Sequence, residues 1–191
     1  MATKISLRQF QQELAQRLSS AKTEQTAAAR LGVQCGSQNW LVALDDAGEV
    51  LPVPEVLSVP LTKPWYAGVA NIRGGLFSVV DFSAYAGGEP TVRGSDARLI
   101  LAGPRFGINA ALLVSRMLGL RNARDLQAQH DGAESASNAA WFGPVWHETL
   151  PAPASAAGAE GAAGAAPQVR LWRELKMAHL LDAPEFLNVG V

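Results

Sequence analysis

Apolar residues follow two different periods along this chain of 191 residues. Near the amino terminus, Ile5, Leu7, Phe10, Leu14, Leu18 and Ala21 recur at helical spacing, which predicts an amphipathic helix over residues 5–21. From Leu31 onwards the apolar residues form short runs separated by turn residues, which is typical of an all-β fold. We therefore interpret residues 1–30 as an N-terminal helix and linker that precede a β domain.

The apolar runs predict individual strands. Leu31–Cys35 and Trp40–Leu44 flank the turn sequence GSQN and predict a hairpin. Prolines at 52, 54, 60 and 64 lack an amide donor, so residues 51–65 are expected to be edge strand and loop. Ala97–Leu101 and Phe106–Val114 predict two more strands. The second of these is apolar almost throughout, so both of its faces should be covered.

The last third of the chain alternates between apolar and low-complexity segments. Residues 126–140 read as a solvated loop, and WFGPVW from Trp141 resumes apolar structure. In residues 151–167, fifteen of seventeen positions are alanine, glycine or proline, so we expect a flexible insertion. The stretch 169–175, VRLWREL, predicts a strand, and MAHLL after it predicts a short C-terminal helix. Both are too apolar for a free tail, so the insertion interrupts one domain spanning 31–181, and residues 182–191 form a C-terminal tail.

Composition narrows the classes of partner and location. The formal net charge of −1 removes the main electrostatic term for binding nucleic acid, so protein partners are favoured. No run of eighteen apolar residues occurs, so no membrane insertion is expected. The amino terminus lacks the apolar centre of a secretion signal, so a cytoplasmic location is expected. The single cysteine, Cys35, reads as a small apolar residue buried in a strand.

The sequence offers no pattern for catalysis. A phosphate-binding loop, a nucleophile elbow and an HExxH zinc motif are all missing from it. The three histidines, His130, His147 and His179, are widely spread, which disfavours a shared metal site. We therefore expect no catalytic residue, no metal and no cofactor.

The stretch VANIRGGLFSVVDF, residues 69–82, places one arginine between two apolar runs. Both runs read as extended, and Arg73 with Gly74 and Gly75 interrupts them. RGGLFSVV has a superficial likeness to an RNA-binding strand, but of the aromatic residues that stack bases there it has only Phe77. Because a charge is costly to bury, Arg73 is expected to serve a purpose other than packing.

Together with its upstream flank, this stretch resembles the CheW family of chemotaxis coupling proteins. The family signature G-V-x-N-[I/L]-R-G-x-x-x-x-V-x-D is matched from Gly68 to Asp81, and the family's upstream glutamate is matched by Glu49. The phrase VPLTKPWYAGVANIRG is most similar to PilI-type adaptors of type IV pilus twitching motility. The resemblance extends more weakly over residues 31–181, and residues 1–30 and 151–167 depart from the family pattern.

The resemblance implies an all-β fold of two small SH3-like five-stranded barrels around a shared apolar core, with no catalytic activity. It implies two partners, the regulatory domain of a CheA-type histidine kinase and the cytoplasmic tip of a chemoreceptor. It also implies an ion pair between Glu49 and Arg73 beside the receptor-binding groove. The positions carried over as receptor- or kinase-binding are Ala47, Glu49, Gly68, Asn71, Arg73 and Gly74.

Several roles stay open at this stage. Arg73 either presents donors to a receptor side chain or only fastens two loops, with neighbouring apolar residues binding the partner. Gly68 and Gly74 serve either close approach of a partner or a backbone angle that only glycine accepts, and Asn71 is either a turn-former or a contact. Ala47 stands where flagellar members place a larger aliphatic residue. A different class, a regulatory domain that binds a small ligand between two β lobes, is the alternative function.

Overall fold

The described part of the protein consists of strands paired into two β-sheets, with three short helices. The coordinates are a computed structural model that describes residues 29–128, 139–150 and 168–191. The predicted helix at 5–21 and the insertion at 151–167 lie outside these residues. The strands are β1 (Ala29–Cys35), β2 (Gln38–Ala43), β3 (Ala47–Pro52), β4 (Tyr66–Ile72), β5 (Gly75–Asp81), β6 (Arg98–Ala102), β7 (Ala110–Val114), β8 (Arg116–Asn122), β9 (Gln127–Ala128), β10 (Phe142–Leu150) and β11 (Gln168–Leu175). The helices are α1 (Phe82–Tyr85), α2 (Met177–Leu181) and α3 (Pro184–Leu187).

The two sheets differ from the two closed five-stranded barrels that were expected. One sheet has six strands in the order β8-β1-β2-β11-β10-β9, and the other has five in the order β3-β6-β7-β5-β4. Both are open sheets with two edge strands each. The sixth strand of the first sheet arises because Gln127 and Ala128, predicted to lie in a solvated loop, pair with His147 and Trp146 of β10.

One apolar layer joins the two sheets. Its centre is Trp40 on β2, whose ring packs against Phe82 at 5.0 Å and Phe142 at 5.6 Å between centroids. The layer also takes side chains from β1, β5, β6, β7 and the carboxy-terminal helices. Burial of apolar area at roughly 25 cal/mol per Å² makes this layer the main source of stability.

Several strands of the five-stranded sheet are buried on both faces. In β7, Ala110 and Leu112 face the shared layer, whereas Ala111 and Leu113 face a second cluster inside the five-stranded sheet. The prediction that this strand is covered on both sides is therefore confirmed. The strand starts later than expected because Phe106 lies in a 3-10 turn that ends at Gly107 in the left-handed region.

A side-chain ion pair connects strands near opposite edges of the six-stranded sheet. Arg121 of β8 approaches Glu148 of β10 with 2.9 Å between Nε and Oε1. The indole N–H of Trp172 also donates to Glu148, at 2.9 Å. These contacts show that the sheet curls around a small core of Leu41, Leu126 and Trp172.

Strand β4 is fixed along its outer edge by the loop that precedes it. Leu57 and Val69 exchange both backbone hydrogen bonds, each 2.8 Å long. Gly68 makes this approach possible, because a Cβ built on it would lie 2.1 Å from the carbonyl oxygen of Leu57. Its φ of +129° is also one that side chains disfavour. The two hydrogen bonds therefore hold this loop against the strand that leads into the hairpin with Arg73.

None of the described helices is long and apolar enough to cross a bilayer.

The carboxy-terminal residues pack on the β domain. Phe186 of α3 is buried and stacks on Trp65 with ring centroids 6.3 Å apart. Lys63 donates its backbone N–H to the carbonyl of Val189, at 2.8 Å.

The substitution Gly68→Ala should destabilise the protein strongly, by about 2 to 4 kcal/mol, because the new methyl group overlaps the Leu57 carbonyl and separates the paired backbones. The matched control is Gly74→Ala, where the added Cβ meets nothing within 4 Å. It should cost only about 1 kcal/mol, for the left-handed backbone. Urea unfolding followed by tryptophan fluorescence measures both, and equal losses would contradict the role given to Gly68.

The thiol of Cys35 should be unreactive in the folded protein. Cys35 is buried in the shared layer, and this burial raises the pKa of its thiol well above the usual range. The reactive thiolate is therefore scarce at neutral pH. Titration with an aromatic disulfide reagent should show no reaction until denaturant is added, and rapid labelling of native protein would contradict this packing.

Candidate partner-binding site at the β4–β5 hairpin

Arg73 lies in a two-residue turn between β4 and β5. Ile72 and Gly75 are the last residues paired across the two strands, so Arg73 and Gly74 form the loop. Their φ angles are +51° and +84°. Two consecutive residues with positive φ are the hallmark of a type I′ turn, whose twist matches that of the flanking strands. The arginine predicted to separate two strands is thus at the tip of a tight hairpin.

Asn71 stabilises this turn through its side chain. The backbone N–H of Gly74 donates to Oδ1 of Asn71 at 2.9 Å. An asparagine side chain that bonds a backbone N–H a few residues later is a common turn-forming device. Of the two roles left open for Asn71, the structure therefore supports that of turn-former.

Arg73 adopts an unfavourable backbone conformation for its residue type. A type I′ turn prefers asparagine, aspartate or glycine at its first central position. A residue with a Cβ and no local side-chain compensation loses about 1 kcal/mol in the left-handed region. Gly74 carries no such cost, and the space around its Cα is open. Gly74 is thus explained by its backbone angle, which was one of its two expected roles.

The expected ion pair between Arg73 and Glu49 is present. The distance from Nη2 to Oε1 is 2.6 Å. The side chain of Arg73 is 77% exposed and that of Glu49 is 38% exposed. An exposed ion pair of this kind contributes roughly 0 to 1 kcal/mol. The pair therefore offsets the strain of the turn at best and gives the fold little net stability.

The pair connects two parts of the five-stranded sheet that the backbone does not join. Glu49 belongs to β3, one edge strand, and Arg73 to the hairpin of β4, the other edge strand. The sheet must therefore curl until its edges approach each other. The contact defines a surface, which we call the hairpin site, made of Glu49, Asn71, Arg73 and Gly74.

The start of β3 is anchored by a second pair of charges. The carboxylate of Asp46 is buried and contacts the guanidinium of Arg105. Burial raises the pKa of Asp46, and the nearby Arg105 works against that rise. The backbone N–H of Gly103 also donates to the Asp46 carbonyl at 2.8 Å. These contacts fix the turn from which Ala47 and Glu49 extend.

Two of the six residues carried over from the family, Ala47 and Gly68, are not part of the hairpin site. Ala47 pairs with Ala102 of β6 and packs partly buried against the shared layer. Gly68 is explained by its contact with the backbone of Leu57. Both residues shape the strands that carry the site.

The sequence reasoning missed one exposed apolar residue beside the site. Leu76 of β5 is paired directly opposite Asn71 and is largely exposed. Side chains of directly paired residues lie on the same face of a sheet, so Leu76 adds an apolar surface next to the turn. The two-residue alternation of β5 puts Leu76 on the same face as the buried Val80, so the sequence pattern predicts burial for Leu76, and its exposure follows only from its place at the start of the strand.

Comparison with known proteins gives the family and the fold of this chain. The protein-family model described as "CheW-like domain" matches residues 30–149. The chain is also 27% identical over 92 residues to "Protein PilI" of Pseudomonas aeruginosa, which covers 48% of this chain and 51% of that protein. The chain thus spans about half the length of this curated relative.

Among solved structures, the chain is similar to the scaffolding protein TtCheW from Thermoanaerobacter tengcongensis. The TM-score is 0.58 with 14% sequence identity, over 83% of this chain and 94% of that one. At this identity the likeness concerns the fold alone. Because the family model covers well over half of the sequence, the chain belongs to the CheW-like domain family.

Proposed function

We propose that this protein is a non-catalytic adaptor that couples the cytoplasmic tip of a chemoreceptor to a CheA-type histidine kinase. The observation that carries the proposal is the hairpin site, where an exposed arginine is held in a strained turn and paired with Glu49 across the sheet. An exposed and unfavourable arrangement of this kind is more typical of a recognition surface than of a packing element. Membership of the CheW-like domain family supports the same role.

The likeness to Protein PilI supports a more specific setting. In this proposal the adaptor serves a chemosensory pathway that controls type IV pilus twitching motility, and it works in the cytoplasm at a membrane-associated array. In the same proposal, the edge strands of the five-stranded sheet carry receptor binding.

The alternative of a ligand-binding domain receives less support. Such a domain would hold its ligand between the two β lobes. The layer between the sheets is filled by large side chains, with Trp40 and Phe82 fully buried and in contact. A ligand there would have to displace well-packed aromatic rings.

A three-component capture experiment tests the adaptor role. Purified protein should bring a receptor cytoplasmic fragment down with a tagged fragment of a CheA-type kinase, with no added metabolite. Arg73→Glu should reduce receptor capture at least about tenfold, because it places two carboxylates together in the hairpin site. The matched control is Arg124→Glu, a charge reversal at an exposed residue beside the six-stranded sheet, which should leave capture unchanged.

The double variant Arg73→Glu, Glu49→Arg separates folding from recognition. Reversing both charges restores an attractive pair, so the urea midpoint lost in Arg73→Glu should be partly regained. Circular dichroism verifies that each variant is folded before capture is scored. Failure of the unaltered protein to bring receptor and kinase together would overturn the adaptor proposal.

A further inference from the structure

We propose that residues 5–21 dock on an exposed apolar patch of the same chain, far from the hairpin that carries Arg73 in sequence and distinct from it in composition. The patch, which we call the C-terminal patch, consists of Leu61, Leu187 and Val191. The docking does not depend on the adaptor role. It makes the predicted amino-terminal helix a part of the β domain and not an appendage to it.

The C-terminal patch presents large aliphatic side chains to water. Leu61 is 81% exposed, Val191 is 84% exposed and Leu187 is 62% exposed. Backbone hydrogen bonds bring the two segments together, because the N–H of Val191 donates to the Leu61 carbonyl at 3.2 Å and that of Lys63 donates to the Val189 carbonyl at 2.8 Å. Exposed apolar residues gathered in this way mark an interaction site.

The backbone of Leu61 adds a second sign that the patch serves a purpose. Its φ is +59°, in the left-handed region that leucine disfavours. Leu61 therefore combines a strained backbone with an apolar side chain in water, and neither favours the described part of the fold. Strain that the surroundings maintain is typical of binding positions.

The sheet topology brings the start of the described chain close to the carboxy-terminal helices. Leu31 of β1 and Leu175 of β11 pair with Val42 of β2 from opposite sides, so two strand spacings, about 10 Å, separate them. Because β11 runs parallel to β2 and β1 runs antiparallel to it, Ala29 and Met177 lie at the same end of the sheet. The amino-terminal segment therefore joins the domain beside α2.

The length of the amino-terminal segment is sufficient to reach the patch. Residues 22–28 span up to about 23 Å when extended, and a helix over residues 5–21 is about 25 Å long. Two short helices and the turn between them separate Met177 from Leu187, a path of about 20 Å. Linker and helix together exceed the distance that they have to cover.

The sequence of the segment supplies the matching apolar surface. Leu7, Phe10, Leu14 and Leu18 follow helical spacing and fall on one face of the predicted helix. An isolated helix of this length is only marginally stable in water, and most helices gain their stability by packing an apolar face. The predicted helix therefore needs a surface such as the C-terminal patch.

Charge favours the same pairing. Residues 1–28 carry four basic side chains and two acidic ones. Residues 177–191 carry Asp182 and Glu185, and their basic side chains are limited to His179. Asp182 and Glu185 are both exposed, so they can attract the basic segment to the patch.

Cysteine cross-linking in the full-length chain tests the docking. Cys35→Ala removes the only cysteine, and Gln11→Cys and Asn188→Cys are added to that background. Gln11 flanks the apolar face of the predicted helix and Asn188 is exposed beside Leu187, so no apolar contact is lost. We expect an intramolecular disulfide to form at least about tenfold faster than in a control pair of Gln11→Cys with Gln168→Cys. Gln168 is exposed at the opposite end of β11.

Substitutions on both surfaces distinguish docking from simple proximity. Phe10→Asp should slow the cross-link at least about fivefold, whereas Gln9→Asp, on the opposite face of the predicted helix, should leave its rate unchanged. Leu61→Asn should slow the cross-link as well, although asparagine suits the left-handed backbone better. Its matched control is Val92→Asn at a valine that is exposed in another loop.

Each outcome of the cross-linking decides the inference. Equal rates for the test pair and the Gln168 control overturn it. A disulfide between two chains, seen as a dimer on a non-reducing gel, shows that a second copy occupies the patch and also overturns it. A fast cross-link that neither Phe10→Asp nor Leu61→Asn slows shows proximity without docking, with the same consequence.

Folding and the adaptor role are scored separately. Circular dichroism verifies that each variant is folded, and the first cysteine pair keeps every apolar residue of both surfaces, so it decides the inference even if an aspartate variant unfolds. The capture of receptor and kinase is measured on the unaltered protein. Its failure would overturn the adaptor role and leave the cross-linking result intact.

Discussion

The apolar layer shared by the two sheets determines how the strands and the carboxy-terminal helices pack. Trp40 lies at its centre, and side chains from both sheets and from the carboxy-terminal helices complete it. Several strands are buried on both faces, because each sheet also curls around a small core of its own. A charge on a strand buried on both faces is costly unless hydrogen bonds satisfy it, so exposed charged residues lie mainly at turns and edges.

The ends of the sheets are held together by side chains where the backbone pairing stops. Arg121 and Glu148 connect β8 and β10 in the six-stranded sheet, and Arg73 and Glu49 connect the two edges of the five-stranded sheet. The first pair is mostly buried and is tied to Trp172, whereas the second is exposed. The first contact is enclosed within its sheet, where the cost of removing two charges from water offsets their attraction. The second lies on a surface that a partner can reach.

The hairpin site shows how a surface proposed for recognition can depart from what favours the fold. The turn would be more stable with asparagine before Gly74. The exposed ion pair at best offsets the free energy that this strain costs. Such local conflicts concentrate where recognition competes with packing. Asn71, Gly68 and Asp46 then act as supports, because each fixes the backbone that carries Arg73 or Glu49.

Short-range patterns in the sequence are enough to predict the local elements. The hairpin at 31–44, the doubly buried strand ending at Val114 and the strand at 169–175 all follow from short-range periodicity. The family signature also identified the Arg73–Glu49 pair. Three features emerge only in the folded protein: β9 forms a sixth strand, Gly68 packs against the backbone of Leu57, and Leu76 lies beside the site. Those outcomes depend on contacts between distant segments and on backbone angles, which no local pattern of apolar residues encodes.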